Sequence, residues 1–203
     1  MTTGPLFDDR PIRLLGIGGS TRQESRTLGV LRAVLALAAD QGATTTLADV
    51  RELALPVYNE DIPLDEQSVA LHWLLEQMQE ADAFILGSPT YHGTVSGAIK
   101  NVLDALHIRH GEDRTYFDGR PVGLLAYGGP SALNVINALS HAVRGMGGLQ
   151  VPTVVTIART AMDDSFTGIA DEATRKRASR MTSEVIRFAR LHRLAEEERT
   201  AGV

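Results

Sequence analysis

The chain reads as a doubly wound α/β sandwich, a parallel sheet covered by helices on both faces. Short apolar runs alternate with longer segments whose apolar residues recur at helical spacing, and that alternation implies parallel strands joined by crossover helices. At 203 residues and 43% hydrophobic, the chain can build one good core and is short for two. It shows no internal repeat, low-complexity tract or linker, so residues 1–203 are expected to form a single domain.

The elements follow in order. MTTGPLFDDRP (1–11) carries no charged-then-apolar leader pattern and is expected to be a flexible N-terminal arm. IRLLGIG (12–18) is a buried-strand pattern, and TLGVLRAVLALAADQG (27–42) is a helix closed by glycine. ATTTLADV (43–50) is the second strand. ELALPVYNEDIP (52–63), with two prolines, is a loop, and DEQSVALHWLLEQMQEA (65–81) is a helix. DAFILGSP (82–89) is the third strand. SGAIKNVLDALHI (96–108) is a helix with Ser96 at its N-cap, and RHGEDRTYFDGRP (109–121) is a polar loop. PVGLLAYGG (121–129), SALNVINALSHAVRGMG (131–147) and LQVPTVVTI (149–157) give strand, helix and fifth strand. Residues 171–203 are a terminal helix and charged tail. Its apolar stripe, Met181, Val185, Ile186, Phe188 and Leu191, is expected to cover the sheet rather than a partner.

Composition narrows the function. A net charge of −5 argues against a nucleic-acid binder, and the basic run Arg175, Lys176, Arg177 and Arg180 reads as a solvated helix face balanced by nearby acids. The absence of cysteine removes disulfides, thiolate metal sites and thiol nucleophiles, and it fits a reducing compartment. No apolar stretch approaches the roughly 20 residues that span a bilayer. A cytoplasmic protein without membrane partners is the expectation.

Open α/β sheets bind ligands at the carboxyl ends of their strands. The segments after strands one, three and four are GGSTRQESRT, GSPTYHGTVSG and YGGPS. The first combines Gly18 and Gly19, the hydroxyls of Ser20, Thr21, Ser25 and Thr27, and the charges of Arg22 and Arg26. It leads into a helix N-terminus, which favours an anion. Thr21 stands where a dinucleotide fingerprint needs its third glycine, and neither lysine follows a glycine as a Walker loop requires. A terminal phosphate suits the loop; a solvated turn capped by Ser25 or Thr27 is the alternative. In the second segment the amides of Thr90, Tyr91, His92 and Gly93 are expected to lie exposed. There they could line a planar heteroaromatic on which Tyr91 or His92 stacks. Gly128 and Gly129 offer small residues for its other edge. His107 and His110 have helical metal-ligand spacing, but a structural or surface role is the expectation, with no metal.

At these residues the sequence resembles the NADPH-dependent FMN reductase family, within the flavodoxin-like fold. The family loop G-S-x-R-x-x-S matches Gly19-Ser20-Thr21-Arg22-Gln23-Glu24-Ser25. The family segment after strand three matches Ser88-Pro89-Thr90-Tyr91-His92-Gly93, then Ser96-Gly97-Ala98-Ile99-Lys100-Asn101 and Asp104, with Ile99 in place of leucine. The resemblance implies a flavodoxin-like three-layer sandwich with a five-stranded parallel sheet in the order 2-1-3-4-5. It puts the FMN phosphate on Ser20, Arg22, Ser25 and Thr27. It puts the ribityl and ring on Pro89, Thr90, Tyr91, His92 and Gly93, with Gly128 and Gly129 closing the pocket. Many members carry other residues at the Thr27, Thr90 and His92 positions, so His92 is expected to serve through its backbone.

The implied activity passes hydride from NADPH or NADH to FMN and on to a small-molecule acceptor or a flavin-using partner enzyme. The cofactor carries that chemistry, so no catalytic acid or base is named, and Lys100 and Asp104 are expected to be structural. Two alternatives stay open. FMN can be a tight prosthetic group acting on a quinone, an azo compound or a biosynthetic intermediate. Or the chain can be a flavodoxin-like electron carrier without NAD(P)H activity. A homodimer or homotetramer is implied by the resemblance alone.

Overall fold

The computed structural model describes residues 10–112, 114, 116–165 and 167–201. The N-terminal arm expected over 1–11 lies outside these except for Arg10 and Pro11, whose carbonyls accept from the Arg193 guanidinium. The five apolar runs become strands β1 (Arg13–Gly18), β2 (Thr44–Asp49), β3 (Ala83–Pro89), β4 (Pro121–Tyr127) and β5 (Leu149–Ile157). All pair in parallel, in the order β2-β1-β3-β4-β5. The order reverses between β1 and β3, which opens a crevice at their carboxyl ends. β3 is buried along its whole length at the centre of the sheet, as its unbroken apolar pattern requires.

Six α-helices are present among the described residues: α1 (Arg26–Asp40), α2 (Val50–Leu53), α3 (Val69–Glu80), α4 (Gly97–Ala105), α5 (Ala132–Gly145) and α6 (Glu172–Ala201). α1 and α6 pack on one face through Val30, Leu31, Val34, Met181 and Val185. α3, α4 and α5 cover the other through Leu71, Leu74, Ile99, Val135 and Leu139. The α6 stripe covers the sheet as expected except at its end, where Leu191 is 55% exposed.

Serine caps set several helix starts. Ser25, Ser68 and Ser96 each accept the amide three residues on, from Leu28, Leu71 and Ile99, at 3.2, 3.2 and 3.3 Å. The Ser68 cap delays α3 relative to the expected helix, so Leu64–Glu66 form a separate 3-10 turn. The expected loop over 52–63 begins inside a helical turn, α2, because Asp49 accepts the Arg51 amide at 3.0 Å.

The segment between α4 and β4 looked like a polar loop, yet it closes around a buried cation. Arg120 is 1% exposed. Its guanidinium donates to the carbonyls of Phe117 (2.9 Å), Met78 (2.6 Å), Ala81 (2.8 Å), Arg114 (3.2 Å) and Tyr116. It also lies 4.8 Å from the centroid of the Phe84 ring, against which Phe117 packs edge-on. Burial pulls the Arg120 pKa down to about 10, with the Arg114 charge adding to the shift, so it stays charged at neutral pH. One side chain thus ties the end of α3 and the loop over 109–120 to the amino end of β4.

The basic run on α6 is exposed and balanced by nearby acids, as expected, and two of its arginines also reach β5 or Glu184. Lys176 pairs with Glu172 at the surface. Arg177 donates to the Val154 carbonyl at 2.7 Å, and Arg180 bonds Glu184 at 3.0 Å. Glu184 accepts both the amide and the hydroxyl of Thr153, each at 2.8 Å, beside an irregularity in the β4–β5 ladder. With Pro152 lacking an N–H, these contacts close part of the exposed β5 edge to further strand pairing.

Candidate functional site

The three segments singled out in the sequence meet at the carboxyl edge. β1 ends at Gly18, where an added Cβ would lie 2.1 Å from the Gly87 carbonyl oxygen. This glycine is needed for the close approach of β3. Beyond it, Ser20 is buried and donates from its hydroxyl to Ser25 Oγ at 3.1 Å, while the Arg22 amide donates to Ser20 Oγ at 3.4 Å. Ser25 accepts from the Leu28 amide as well, so the expected capping role and a place in the loop's polar cluster coexist. Thr27 is buried in the first turn of α1. The Arg22 side chain is exposed, and no group among the described residues pairs with it. The result is a compact cluster of hydroxyls and an amide at the N-terminus of a 15-residue helix, with the exposed Arg22 in the same loop.

The segment after β3 is a closed loop. Buried Ser88 donates to the Pro89 carbonyl at 2.8 Å and accepts the Ser96 amide at 3.0 Å, joining the loop's two ends. Tyr91 and Thr94 exchange backbone hydrogen bonds at 3.0 Å, with His92 (φ 49°) and Gly93 (φ 80°) between them. Positive φ at both central positions is the geometry of a tight hairpin. The expectation of four exposed amides is corrected here. Thr90 N–H is taken by the Tyr127 carbonyl at 2.9 Å, and Tyr91 N–H by Thr94. The Thr90 hydroxyl also donates to Tyr127 O, at 3.2 Å. Pro89 is buried, and the Tyr91 and His92 side chains are exposed at the tip.

After β4, Gly128 and Gly129 turn the chain into α5. A Cβ on Gly128 would lie 2.2 Å from Thr90 Oγ1, so this glycine lets the two loops touch. A Cβ on Gly93 or Gly129 would meet nothing within 4 Å, so backbone borders open space on either side of that contact. The edge therefore presents a polar cluster fit for an anion, and beside it two loops held together by the contacts of Thr90 with Tyr127. Among the described residues no group of three or more His, Asp or Glu side chains could hold a metal.

Several residues that shape this edge were not assigned a role from sequence. Ser88 closes the β3 loop. Asn101 accepts the Tyr58 amide at 2.8 Å and donates to the Pro56 carbonyl at 2.8 Å, so α4 holds the proline-rich segment after α2. Arg26, whose charge the sequence counted in the anion-favouring loop, donates to the Tyr127 hydroxyl at 3.5 Å, linking the first turn of α1 to the end of β4. His107 and His110 stack 4.9 Å apart away from this edge and share Tyr116 Oη at 2.9 and 3.3 Å. With Tyr58, Lys100, Asp104 and Met146 they line a groove of about 600 Å³ on the α4–α5 flank. Burial raises the pKa of both Tyr58 and Tyr116 there, aided by Glu60 for Tyr58 and by Tyr58 and Asp118 for Tyr116.

Comparison with known proteins agrees with this architecture. The chain is 36% identical over 124 residues to an FMN-dependent NADPH-azoreductase of Staphylococcus saprophyticus, covering 59% of this chain and 63% of that protein. It is 38% identical over 93 residues to proteins of the same name from Staphylococcus aureus, covering 45% of this chain and 46% of theirs. The matched region thus spans less than two thirds of these relatives. Among solved structures, the flavoenzyme NAD(P)H:(acceptor) oxidoreductase FerB from Paracoccus denitrificans superposes with a TM-score of 0.74 at 19% identity, covering 89% of this chain and 98% of that one. A flavodoxin, WrbA-like protein from Agrobacterium tumefaciens gives 0.60 at 19% identity over 90% and 99%. These likenesses establish a flavodoxin-like fold. The family model for NADPH-dependent FMN reductases matches residues 12–162, which include all three loops of the carboxyl edge, and the chain belongs to that family.

Proposed function

We propose that the chain is an oxidoreductase that binds FMN at the carboxyl edge of its sheet and passes electrons from NADPH or NADH to a small-molecule acceptor. The observation that carries this reading is the Ser20–Ser25–Arg22 cluster at the start of α1. Its donor set suits a phosphate monoester, each charge-assisted contact contributing about 1.5–3 kcal/mol. FMN, when bound, supplies the hydride-accepting and hydride-donating chemistry. The chain's part is binding and placement. Ser20, Arg22, Ser25 and Thr27 hold the phosphate. Pro89, Thr90, Tyr91, His92 and Gly93 border the ribityl and ring, with Thr90 acting through its grip on Tyr127. Gly128 and Gly129 leave space at the ring's other edge.

The acceptor class favoured by the relatives' names is an azo compound. The segment ALPVYNEDIP, held by Asn101, would help to shape that pocket. We read the chain as one domain that works as a homodimer or homotetramer. The apolar exposure of Val57 (87%) in the segment after α2, and of Val69 (85%) and Trp73 (36%) on α3, supports association. The absence of cysteine supports a cytoplasmic setting, and no described helix is long and apolar enough to cross a membrane.

The test is a visible spectrum of the purified protein with FMN, followed by anaerobic NADPH. Binding and bleaching are expected. Binding without bleaching would favour an electron carrier, and no binding would remove the FMN reading. Retention of the flavin through turnover separates a prosthetic group from a released substrate, and light scattering behind a sizing column measures the oligomer.

A further inference from the structure

A second opening lies away from the carboxyl edge. The groove of about 600 Å³ on the α4–α5 flank is lined by α4 from Lys100 onward, by the turn that follows it, and by Ala142, Gly145 and Met146 where α5 ends. α5 finishes just before β5 begins, so the groove sits toward the amino end of the sheet. None of its lining residues belongs to the three loops of the carboxyl edge. Most of the lining is apolar, and four rings take part in it, those of Tyr58, His107, His110 and Tyr116. With the imidazoles neutral, only Lys100 and Asp104 carry full charges among the described lining residues, and they pair with each other. The raised pKa of both phenols keeps their hydrogens in place at neutral pH. Such a lining takes a neutral molecule, and flat rings beside the Met146 thioether favour an aromatic one. The volume lies in the range of small-molecule sites.

The two imidazoles set the polar requirement. Their rings stack with centroids 4.9 Å apart and 17° between the planes. Each turns Nδ1 to the same phenol oxygen, Tyr116 Oη, at 2.9 Å from His107 and 3.3 Å from His110. A phenol hydroxyl has one hydrogen. With both rings neutral, it donates to one Nδ1 and accepts from the Nδ1–H of the other. The first ring then carries its hydrogen on Nε2, and the second leaves Nε2 bare. Neither Nε2 has a partner among the described residues. One donor and one acceptor thus stand side by side on stacked rings. A single hydroxyl can bridge such a pair, because an oxygen about 2.8–3.0 Å from each nitrogen spans a gap of up to about 6 Å. It would repeat at the Nε2 atoms what Tyr116 already does at Nδ1.

We propose that this groove is a second binding site, for a neutral hydroxyaromatic molecule whose hydroxyl bridges Nε2 of His107 and His110 while its rings lie against Tyr58, Leu103 and Met146. The site uses none of the residues assigned to FMN and does not depend on the flavin reading.

Calorimetry on the FMN-loaded protein tests it with 2-naphthol. Its methyl ether, 2-methoxynaphthalene, keeps the rings but cannot donate, and 2-naphthoate keeps the rings but brings a charge. 2-Naphthol should saturate a single class of site and bind about five- to tenfold more tightly than the ether, as one neutral hydrogen bond implies. Naphthoate should bind no better than the ether. His107→Phe and His110→Phe keep a ring in the stack and should each bring 2-naphthol and its ether near parity. Tyr116→Phe frees the imidazole tautomers and should reduce the preference by about two- to threefold. FMN loading and the thermal midpoint of each variant report that it folds. Parity of 2-naphthol and its ether on the unaltered protein would overturn the proposal, as would a preference that survives both histidine substitutions. Tighter binding of naphthoate would do the same. So would the absence of saturable binding, or binding that disappears when FMN is removed, which would place the ligand on the flavin. If the chain takes up no FMN, the function proposed above fails, and the same titrations on the chain alone still decide the groove.

Discussion

The two ends of the sheet use the same side chain in opposite ways. At the amino end, Arg120 is buried and its guanidinium is surrounded by five carbonyls drawn from α3 and the loop before β4. At the carboxyl end, the Arg22 side chain is exposed, in the same loop as the Ser20 and Ser25 hydroxyls, and has no pairing group among the described residues. Burying a cation carries a large desolvation cost unless hydrogen bonds replace water, so Arg120 can sit where it does only because its acceptors are complete. Arg22 keeps its water, and with it the capacity to exchange that water for a ligand. The first arginine belongs to the fold, and the second is the one proposed to hold a phosphate.

If this contrast is right, the two ends respond separately to substitution. The largest effect is expected at the amino end. Arg120→Met strands several buried carbonyls at once, and stability should fall by about 3 kcal/mol or more. For a chain of this length that lowers the Tm by roughly 6–12 °C, measurable by thermal denaturation of the apo-protein. FMN affinity of the folded fraction should stay within a few-fold of the original. A variant that lost FMN while keeping its Tm would break the comparison.

A smaller effect, of the opposite kind, is expected at the carboxyl end. Arg22→Ala combined with Ser25→Ala removes a charged contact and a hydroxyl from the phosphate cluster, and FMN affinity should weaken by about 2–4 kcal/mol. The apo-protein should lose only about 1 kcal/mol, from the missing N-cap of α1. Arg22→Ala alone should leave apo stability unchanged. Fluorescence titration with FMN and denaturant unfolding of the same samples separate the two quantities, and unchanged flavin affinity would remove the phosphate assignment.

The contrast also explains what could be read in the sequence. The carboxyl edge was legible because its signals are local: glycines, hydroxyls and arginines within ten residues, between a strand and a helix. Ser96 was legible as a cap for the same reason. The strand order came with the family resemblance, and the register-setting apolar runs were plain. Arg120 was not legible. An arginine in a stretch rich in Asp, Gly and Arg reads as solvated, and two of its acceptors, Met78 and Ala81, lie about forty residues earlier in the chain. Thr90 failed for a related reason. Its amide looked available until the fold brought Tyr127 O within 2.9 Å, a contact between two strand ends that no local pattern encodes. Asn101 and the loop it holds are a third case, joined across more than forty residues.

The smallest expected effect sharpens the comparison at the sheet's outer strand. Burial pushes the Glu184 carboxyl up, but the amide and hydroxyl of Thr153, together with Arg180, outweigh it and hold the pKa below the ordinary carboxylate range. Asp171, bonded to Thr174 at the start of α6, is lowered mainly by that contact. A carboxylate whose pKa is depressed in the folded state stabilises the fold above its unfolded value of about 4.3, and that stabilisation disappears as the pH falls through the folded value. Stability should therefore decline on the acid side from about pH 5 downward. Glu184→Gln should flatten that decline by about 1 kcal/mol, because glutamine cannot gain a proton and cannot serve both Thr153 donors as a carboxylate does. Urea midpoints between pH 6 and pH 3 would measure the slope for both proteins. An identical acid slope in the variant would mean that Glu184 seals the β5 edge by packing alone, and that its charge contributes nothing to holding α6 against the sheet.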